Sequence, residues 1–455
     1  MNKKENKISK EIKINKKLAR RNYSNQTGIT LIALVVTIVV LLILAGVSLN
    51  AIFSENGIIK RAQDAQNKMN NAQESDLNAL NDLDKWINNQ VNGTTGGNTT
   101  GGNDNPSTTP KISTLVGKVV DKNTKAEDAY GNKITIPKGF KILEHNPTSN
   151  TGAVTYNYTN LEETGEHIPA VQDGIVIEDT QTGTAGNQFV WVPVGTIKNK
   201  NGSTNTITLG RYEFDSSTGA LKSTTPAQVA SVENCTKIVT ISKGGTDYQE
   251  LSTFREGNSA TNSTAQNATA RNLEEFISTT LANGGYYIAR FEASGTASKI
   301  ASKYNQTVLG NITQPNAAKV AREMYGEVKE NNELVYASDL VNSYAWDTAI
   351  VFIQTYSGKT DYASHNESIT TKAFTATGKN NDKYCNIWDM SGNAYEWTTE
   401  YSTSSHNSNF YPCVYRGGCY LTDSGRAFNY TSLRSYSYTT HSYSSTSLRS
   451  LLYVK

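Results

Sequence analysis

Ile29 to Leu49 is a run of 21 residues without one charge, rich in Ile, Val and Leu. About 20 apolar residues in a helix span the hydrocarbon core of a bilayer, so this run dictates the architecture of everything around it. Residues 1–21 carry nine Lys/Arg against two Glu, a net of +7, and the first charge after the run is Glu55. An excess of basic residues stays on the cytoplasmic side, which predicts a cytoplasmic leader over 1–28, a transmembrane helix over 29–49 and an extracellular remainder. A cleaved secretory signal is the alternative. Its apolar stretch usually runs about 7–15 residues and ends near an A-x-A-like site, and no such site follows closely here.

The overall charge of +2 is a property of the leader, because the rest of the chain holds 34 basic and 39 acidic residues. That balance argues against a nucleic-acid-binding body, and no nucleic-acid partner is expected. Only 18% of residues are charged, while Asn, Ser, Thr, Tyr and Gly are abundant, as on an uncharged, loop-rich extracellular surface. Cys235, Cys385, Cys413 and Cys419 are too scattered for a disulfide scaffold, and any pairing among them is open.

Beyond the apolar run, Ile59, Ala62, Ala65, Met69 and Ala72 recur at helical spacing, as do Leu80, Leu83, Ile87 and Val91. This predicts a helical stalk over 50–91. Residues 92–110 are almost wholly Gly, Asn, Thr, Ser and Pro, a flexible linker and the main domain boundary. From 111 to 455, short β-like runs such as Lys133–Ile136, Gln188–Val194 and Tyr286–Phe291 alternate with turn clusters. The clearest helical patterns are Ala317–Tyr325 and Asp339–Tyr356. The expectation is an irregular α+β ectodomain with long loops.

Two resemblances sharpen this reading. Gly28-Ile29-Thr30-Leu31-Ile32 resembles the cleavage region of type IV prepilins and pseudopilins, which implies a prepilin peptidase as partner and a cut between Gly28 and Ile29. That family's mature fifth residue is usually Glu; here it is Ala33, which puts filament assembly in doubt. Farther on stand Phe189-Val190-Trp191-Val192-Pro193, Gly284-Gly285-Tyr286-Tyr287-Ile288-Ala289-Arg290-Phe291-Glu292, Ala345-Trp346-Asp347, Asn386-Ile387-Trp388-Asp389 to Glu396-Trp397, Arg416-Gly417-Gly418 and Leu448-Arg449. In this order they resemble the formylglycine-generating enzyme (sulfatase-modifying factor) family, which implies a C-type-lectin-like fold.

The catalytic members of that family hold copper on two cysteines. Their positions here are Thr422 and Ala427. A hydroxyl and a methyl cannot give the soft thiolate ligation that Cu(I) prefers, so no copper and no oxidase activity are expected. The five histidines form no H-E-x-x-H pattern, and no serine sits in a G-x-S-x-G elbow. The resemblance also implies a Ca²⁺ loop, with side-chain oxygens from Asp389 and Glu396 and backbone oxygens from Gly392 and Ala394. Hard oxygen donors suit that ion. A surface turn of hydrogen-bonded carboxylates is the plainer alternative, and Trp388 and Trp397 read as core residues.

From Cys419 to Ser447 the chain is dominated by Ser, Tyr, Thr and Asn, with Tyr430, Tyr436, Tyr438, His441 and Tyr443 among small hydroxyl residues. Antibody-like loops use this mixture, because Tyr supplies rigid amphipathic area and Ser or Thr adaptable hydrogen bonds. The stretch resembles the variable C-termini of lectin-fold proteins diversified by retroelements. Arg416, Arg426, Arg434 and Arg449 read as the scaffold between such loops. The expected function is a cell-surface ligand-binding or adhesion protein for an extracellular protein or glycan. The alternatives are a pseudopilin-type structural subunit or a formylglycine-generating oxidase.

Protease added to intact cells is expected to degrade residues after 50 and spare a tag at the N-terminus. A protected ectodomain with a cut tag would reverse the orientation. N-terminal sequencing then separates a mature start at Ile29 from a retained Met1.

Overall fold

The computed structural model describes residues 109–455 apart from 159, 162–165, 368–372 and 422–429, together with Val35 and Val36. The chain divides into two units, Met1–Asp104 and Asn105–Lys455. In the first, Val35 and Val36 are helical and exposed. The rest of the expected span, the stalk, most of the linker, and the processing pair Gly28 and Ile29 lie outside the described residues. No helix among the described residues is long and apolar enough to cross a membrane.

The second unit is mostly β with few helices, in keeping with the short β-like runs and sparser helical patterns of its sequence. One sheet has seven strands, all neighbours antiparallel. Its members are β1 (Phe140–Ile142), β2 (Val176–Asp179), β3 (Gln188–Pro193), β6 (Gly285–Ala289), β7 (Glu327–Glu330), β8 (Glu333–Leu340) and β13 (Ser450–Val454). Their order across the sheet is β7-β8-β13-β6-β3-β2-β1. A second, six-stranded sheet runs β4 (Ile241–Lys243), β5 (Thr246–Gln249), β9 (Tyr395–Ser402), β10 (Cys413–Arg416) and β11 (Arg434–Ser437), with β12 (Thr446–Leu448) parallel to β9. The continuous apolar run Phe189-Val190-Trp191-Val192 follows from burial of β3 on both faces.

Three helices are described. The first, α1 (Leu273–Asn283), starts at Asn272, whose side chain accepts from Glu275 N, and packs Phe276 edge-on against Tyr286 and Tyr453. The next, α2 (Gln314–Glu323), lies against β8 and is capped by Thr313. The third, α3 (Ser343–Tyr356), is buried from Ser343 through Ile353. The helical pattern read from Asp339 therefore begins late. Asp339 and Leu340 complete β8, paired with Leu451 and Ser450, and the Asn342 side chain accepts from Ala345 N to start α3.

Five buried charges lock α3 to the second sheet. Arg416 Nη2 stands 2.6 Å from Asp347 on α3, and Arg416 Nη1 3.4 Å from Glu400 on β9. Arg434 reaches Asp347 as well, and its Nε is 3.0 Å from Glu400; Arg211 Nη2 closes on the same carboxylate at 2.7 Å. Burial alone would raise the Glu400 carboxyl, yet Arg434, Arg211 and Arg416 together hold it at about 2. Removing one partner of such a buried set leaves an uncompensated charge, which costs about 3–5 kcal/mol.

Nearby Glu250 makes no ion pair among the described residues, and Arg211 acts on it only weakly. It accepts from Ser343 N and Oγ, each at 2.8 Å, and from Thr399 Oγ1 at 2.6 Å. Burial outweighs these donors and pushes its carboxyl up to about 7 from the usual 4.5. Because the folded pKa is raised, the proton favours the folded state below the unfolded value, and that stability is lost as pH rises through about 7. Thermal melting of the 105–455 unit is therefore expected at higher temperature at pH 5 than at pH 8, with a smaller difference in Glu250→Gln. An unchanged slope in that variant would remove Glu250 as the cause.

Candidate binding face

The β10–β11 pair changes character along one face. Arg416 and Arg434 lie directly opposite each other and point inward, an arrangement of like charges tolerated because Asp347 and Glu400 lie between them. Tyr436, two residues along the same face of β11, pairs with Val414 and is 36% exposed. β11 is the last strand of its sheet, so the chain that follows it continues along an edge.

Along this edge the aromatic side chains touch in series. Tyr411 stacks on Tyr438 with ring centroids 4.1 Å apart and meets Tyr436 at 5.8 Å. Tyr438 meets His441 edge-on at 4.6 Å, and His441 meets Tyr443 at 4.6 Å. Ser437 Oγ bonds His441 Nδ1, the Tyr411 and Tyr438 hydroxyls bond each other, and Thr439 Oγ1 donates to Ala260 O. Tyr443 O accepts from Asn311 N at 3.0 Å and Thr446 N at 3.1 Å, which pins the end of the ribbon. Residues 435–448 contain no charged side chain. Burial lowers the His441 pKa, so the ribbon is uncharged at neutral pH.

Four of the five expected face residues, Tyr436, Tyr438, His441 and Tyr443, thus form one surface. Tyr430 does not. Its side chain is 6% exposed, packs with Tyr395, Cys419 and Leu433, and turns its hydroxyl to Lys243. Spacing in a Tyr/Ser-rich stretch does not separate an inward tyrosine from an outward one. Tyr411 was missed because it lies outside that stretch; pairing of Cys413 with Ser437 brings it alongside Tyr438.

The expected calcium residues lie elsewhere, Asp389, Gly392 and Ala394 on the loop into β9 and Glu396 on β9 itself. Asp389 is buried and accepts from Asn380 Nδ2 at 2.9 Å and Gly378 N at 3.2 Å. Both Glu396 oxygens are held by Arg449, with Nε at 2.8 Å from Oε2, and Gly392 O accepts from Ala394 N at 2.8 Å. Burial, then the charge of Asp382, pushes the Asp389 carboxyl up to about 7. Burial with the charges of Asp389 and Glu396 raises Glu292 well above the carboxylate range. Among the described residues no three His, Cys, Asp or Glu groups are placed to hold a metal. As placed, the set does not fit an open oxygen cage: a cation there requires Arg449 to leave Glu396.

Trp388 and Trp397 are buried, as read from sequence, and Trp397 Nε1 donates to Ile312 O at 2.8 Å. Cys413 is a buried free thiol, while Thr422, Arg426 and Ala427 lie outside the described residues.

No family model matches the chain, and no curated protein matches it. Among solved structures, CarF aligns at 13% identity over 38% of this chain and 87% of its own, with a TM-score of 0.27. PvdO from Pseudomonas aeruginosa aligns at 10% identity over 38% and 82%, with a TM-score of 0.24. The U1 variant of the Major Tropism Determinant aligns at 12% identity over 76% and 98%, with a TM-score of 0.24. Scores this low carry no argument about fold or function.

Proposed function

We propose that the chain is a cell-surface recognition or adhesion protein that presents the Tyr411–Tyr436–Tyr438–His441–Tyr443 ribbon to an extracellular protein or glycan. The observation that carries this is the ribbon itself: five aromatic rings in serial contact on an exposed edge, without a charge, backed by a hairpin fixed through buried guanidinium pairs. A rigid aromatic surface loses little conformational entropy on binding, and Tyr is enriched where a few residues dominate an interface. The basic leader and uncharged run support display outside the cell, and Thr422 and Ala427 support a binding rather than an oxidative role. Tyr411→Ala, Tyr438→Ala and Tyr443→Ala are each expected to leave the 105–455 unit folded. At least one should weaken its binding to cells or to a glycan array by about tenfold or more. Full binding in all three would move the site off the ribbon. Copper-dependent conversion of a cysteine peptide to formylglycine would overturn the non-catalytic reading.

Calcium at Asp389 and Glu396 is a separate proposal. Four buried carboxyls, on Glu292, Asp382, Asp389 and Glu396, surround one guanidinium there, and that excess of acid favours either protons or a cation. A calcium-bound state melts higher in calcium than in chelator, and Asp389→Asn abolishes the difference. Equal melting in both leaves the Arg449 pair and buried protons as the whole account.

A further inference from the structure

A cavity of about 280 Å³ that shares no residue with the aromatic ribbon lies between segments 155–158 and 172–173, the end of α3 and the loop 383–386. Its wall is built, and at a conformational cost. Cys385 and Asn386 both have left-handed backbone, with φ of 45° and 60°. Such residues persist only where their surroundings hold them, and they collect at functional sites. Here the Asn386 amide does the holding: Nδ2 donates to Thr155 O at 2.9 Å, Gly174 O at 3.0 Å and Asp173 O at 3.1 Å, and Oδ1 accepts from Thr155 N at 3.0 Å. Gly174 completes the fit, since a Cβ on it would stand 2.0 Å from Cys385 O.

The polar groups of the cavity are unevenly satisfied. Asp173 is taken by backbone donors of two segments, accepting from Asn157 N and Tyr158 N at 2.8 Å and from Ala170 N at 3.2 Å. Lys383 Nζ donates to Thr155 Oγ1 at 2.8 Å and makes no ion pair with a carboxylate among the described residues. Gln172 is 2% exposed; its Nε2 donates to Lys198 O at 2.6 Å, and its Oε1 has no hydrogen-bond partner among the described residues. Tyr158 and Tyr356 meet edge-on at 6.1 Å, and with Tyr384 they give the same cavity flat apolar surface.

We propose that this cavity binds a sugar acid, with the carboxylate at the Lys383 ammonium, a ring hydroxyl donating to Gln172, and the pyranose against the tyrosines. A neutral sugar leaves the ammonium without its anion. A small inorganic anion leaves the aromatic walls and the glutamine oxygen unused. Pockets of this kind, largely preformed and apolar with a few convergent polar groups, are where small ligands bind.

The test is calorimetric titration of the full chain at neutral pH with glucuronate, galacturonate, glucose, galactose, acetate and phosphate. At least one uronate is expected to bind about tenfold or more tighter than its neutral parent and than acetate or phosphate. Lys383→Met should erase that preference and Lys383→Arg retain it. Ser357→Trp, which fills the cavity, should abolish binding, so the site is tested even if Lys383→Met fails to fold. Tyr438→Ala on the ribbon should leave uronate binding unchanged, which separates this inference from the proposed recognition face. Uronates binding no tighter than acetate, or with full affinity in a folded Lys383→Met or Ser357→Trp protein, would overturn it. A uronate-ended oligosaccharide that binds like the free acid assigns the source to glycan ends, and binding of the free acid alone assigns it to a soluble metabolite; both support the site.

Discussion

Asp347 and Glu400 sit between Arg211, Arg416 and Arg434, and the arrangement of the second sheet depends on this cluster. Coulomb attraction in a low-dielectric interior is strong, and so is the penalty for burying any of these groups alone. The five therefore act as one geometric condition. Residues 416 and 434 can face each other across a ladder only if α3 supplies Asp347 and β9 supplies Glu400. A slip of one residue in β11 would turn Arg434 away from Asp347 and Glu400 and put an uncharged residue, Leu433 or Ser435, in its place, because side chains alternate across a strand.

The buried cluster and the exposed ribbon are separate sets of contacts. Arg416 and Arg434 are buried and committed to Asp347 and Glu400. The ribbon residues are uncharged at their side chains and contact mainly one another. Exchanging a ribbon residue alters the surface without touching the cluster.

Parts of this were legible in the chain itself. Buried strands announced themselves where an apolar run was long enough, as in Phe189–Val192, and helix α3 was visible from its apolar density. Its start was misplaced because Asp339 and Leu340 suit either state, and only the pairing of β8 with β13 decides between them. Arg416, Arg434 and Arg449, in or beside the Tyr/Ser-rich stretch, read as scaffold, and all three are buried in ion pairs. What could not be read was which tyrosines face outward, since Tyr430 and Tyr436 have similar neighbours in sequence and opposite burial. Pairing between segments also hid Tyr411, which meets Tyr438 27 residues on, and the strained loop at Cys385 and the Lys383 ammonium, which meet segments more than 200 residues away, as in the contacts of Asn386 and Lys383 with Thr155.

Strand β13 lies between β8 and β6, with Leu452 paired to Ser338 on one side and Tyr287 on the other. A nascent chain that has reached residue 448 holds every other strand of the seven-stranded sheet but not the one that joins its two parts. Such a chain leaves β6 and β8 each with an unpaired edge that β13 covers in the finished sheet, and apolar positions on both remain uncovered. Closure waits for the synthesis of residues 450–454. Until then the sheet exists as two separate parts.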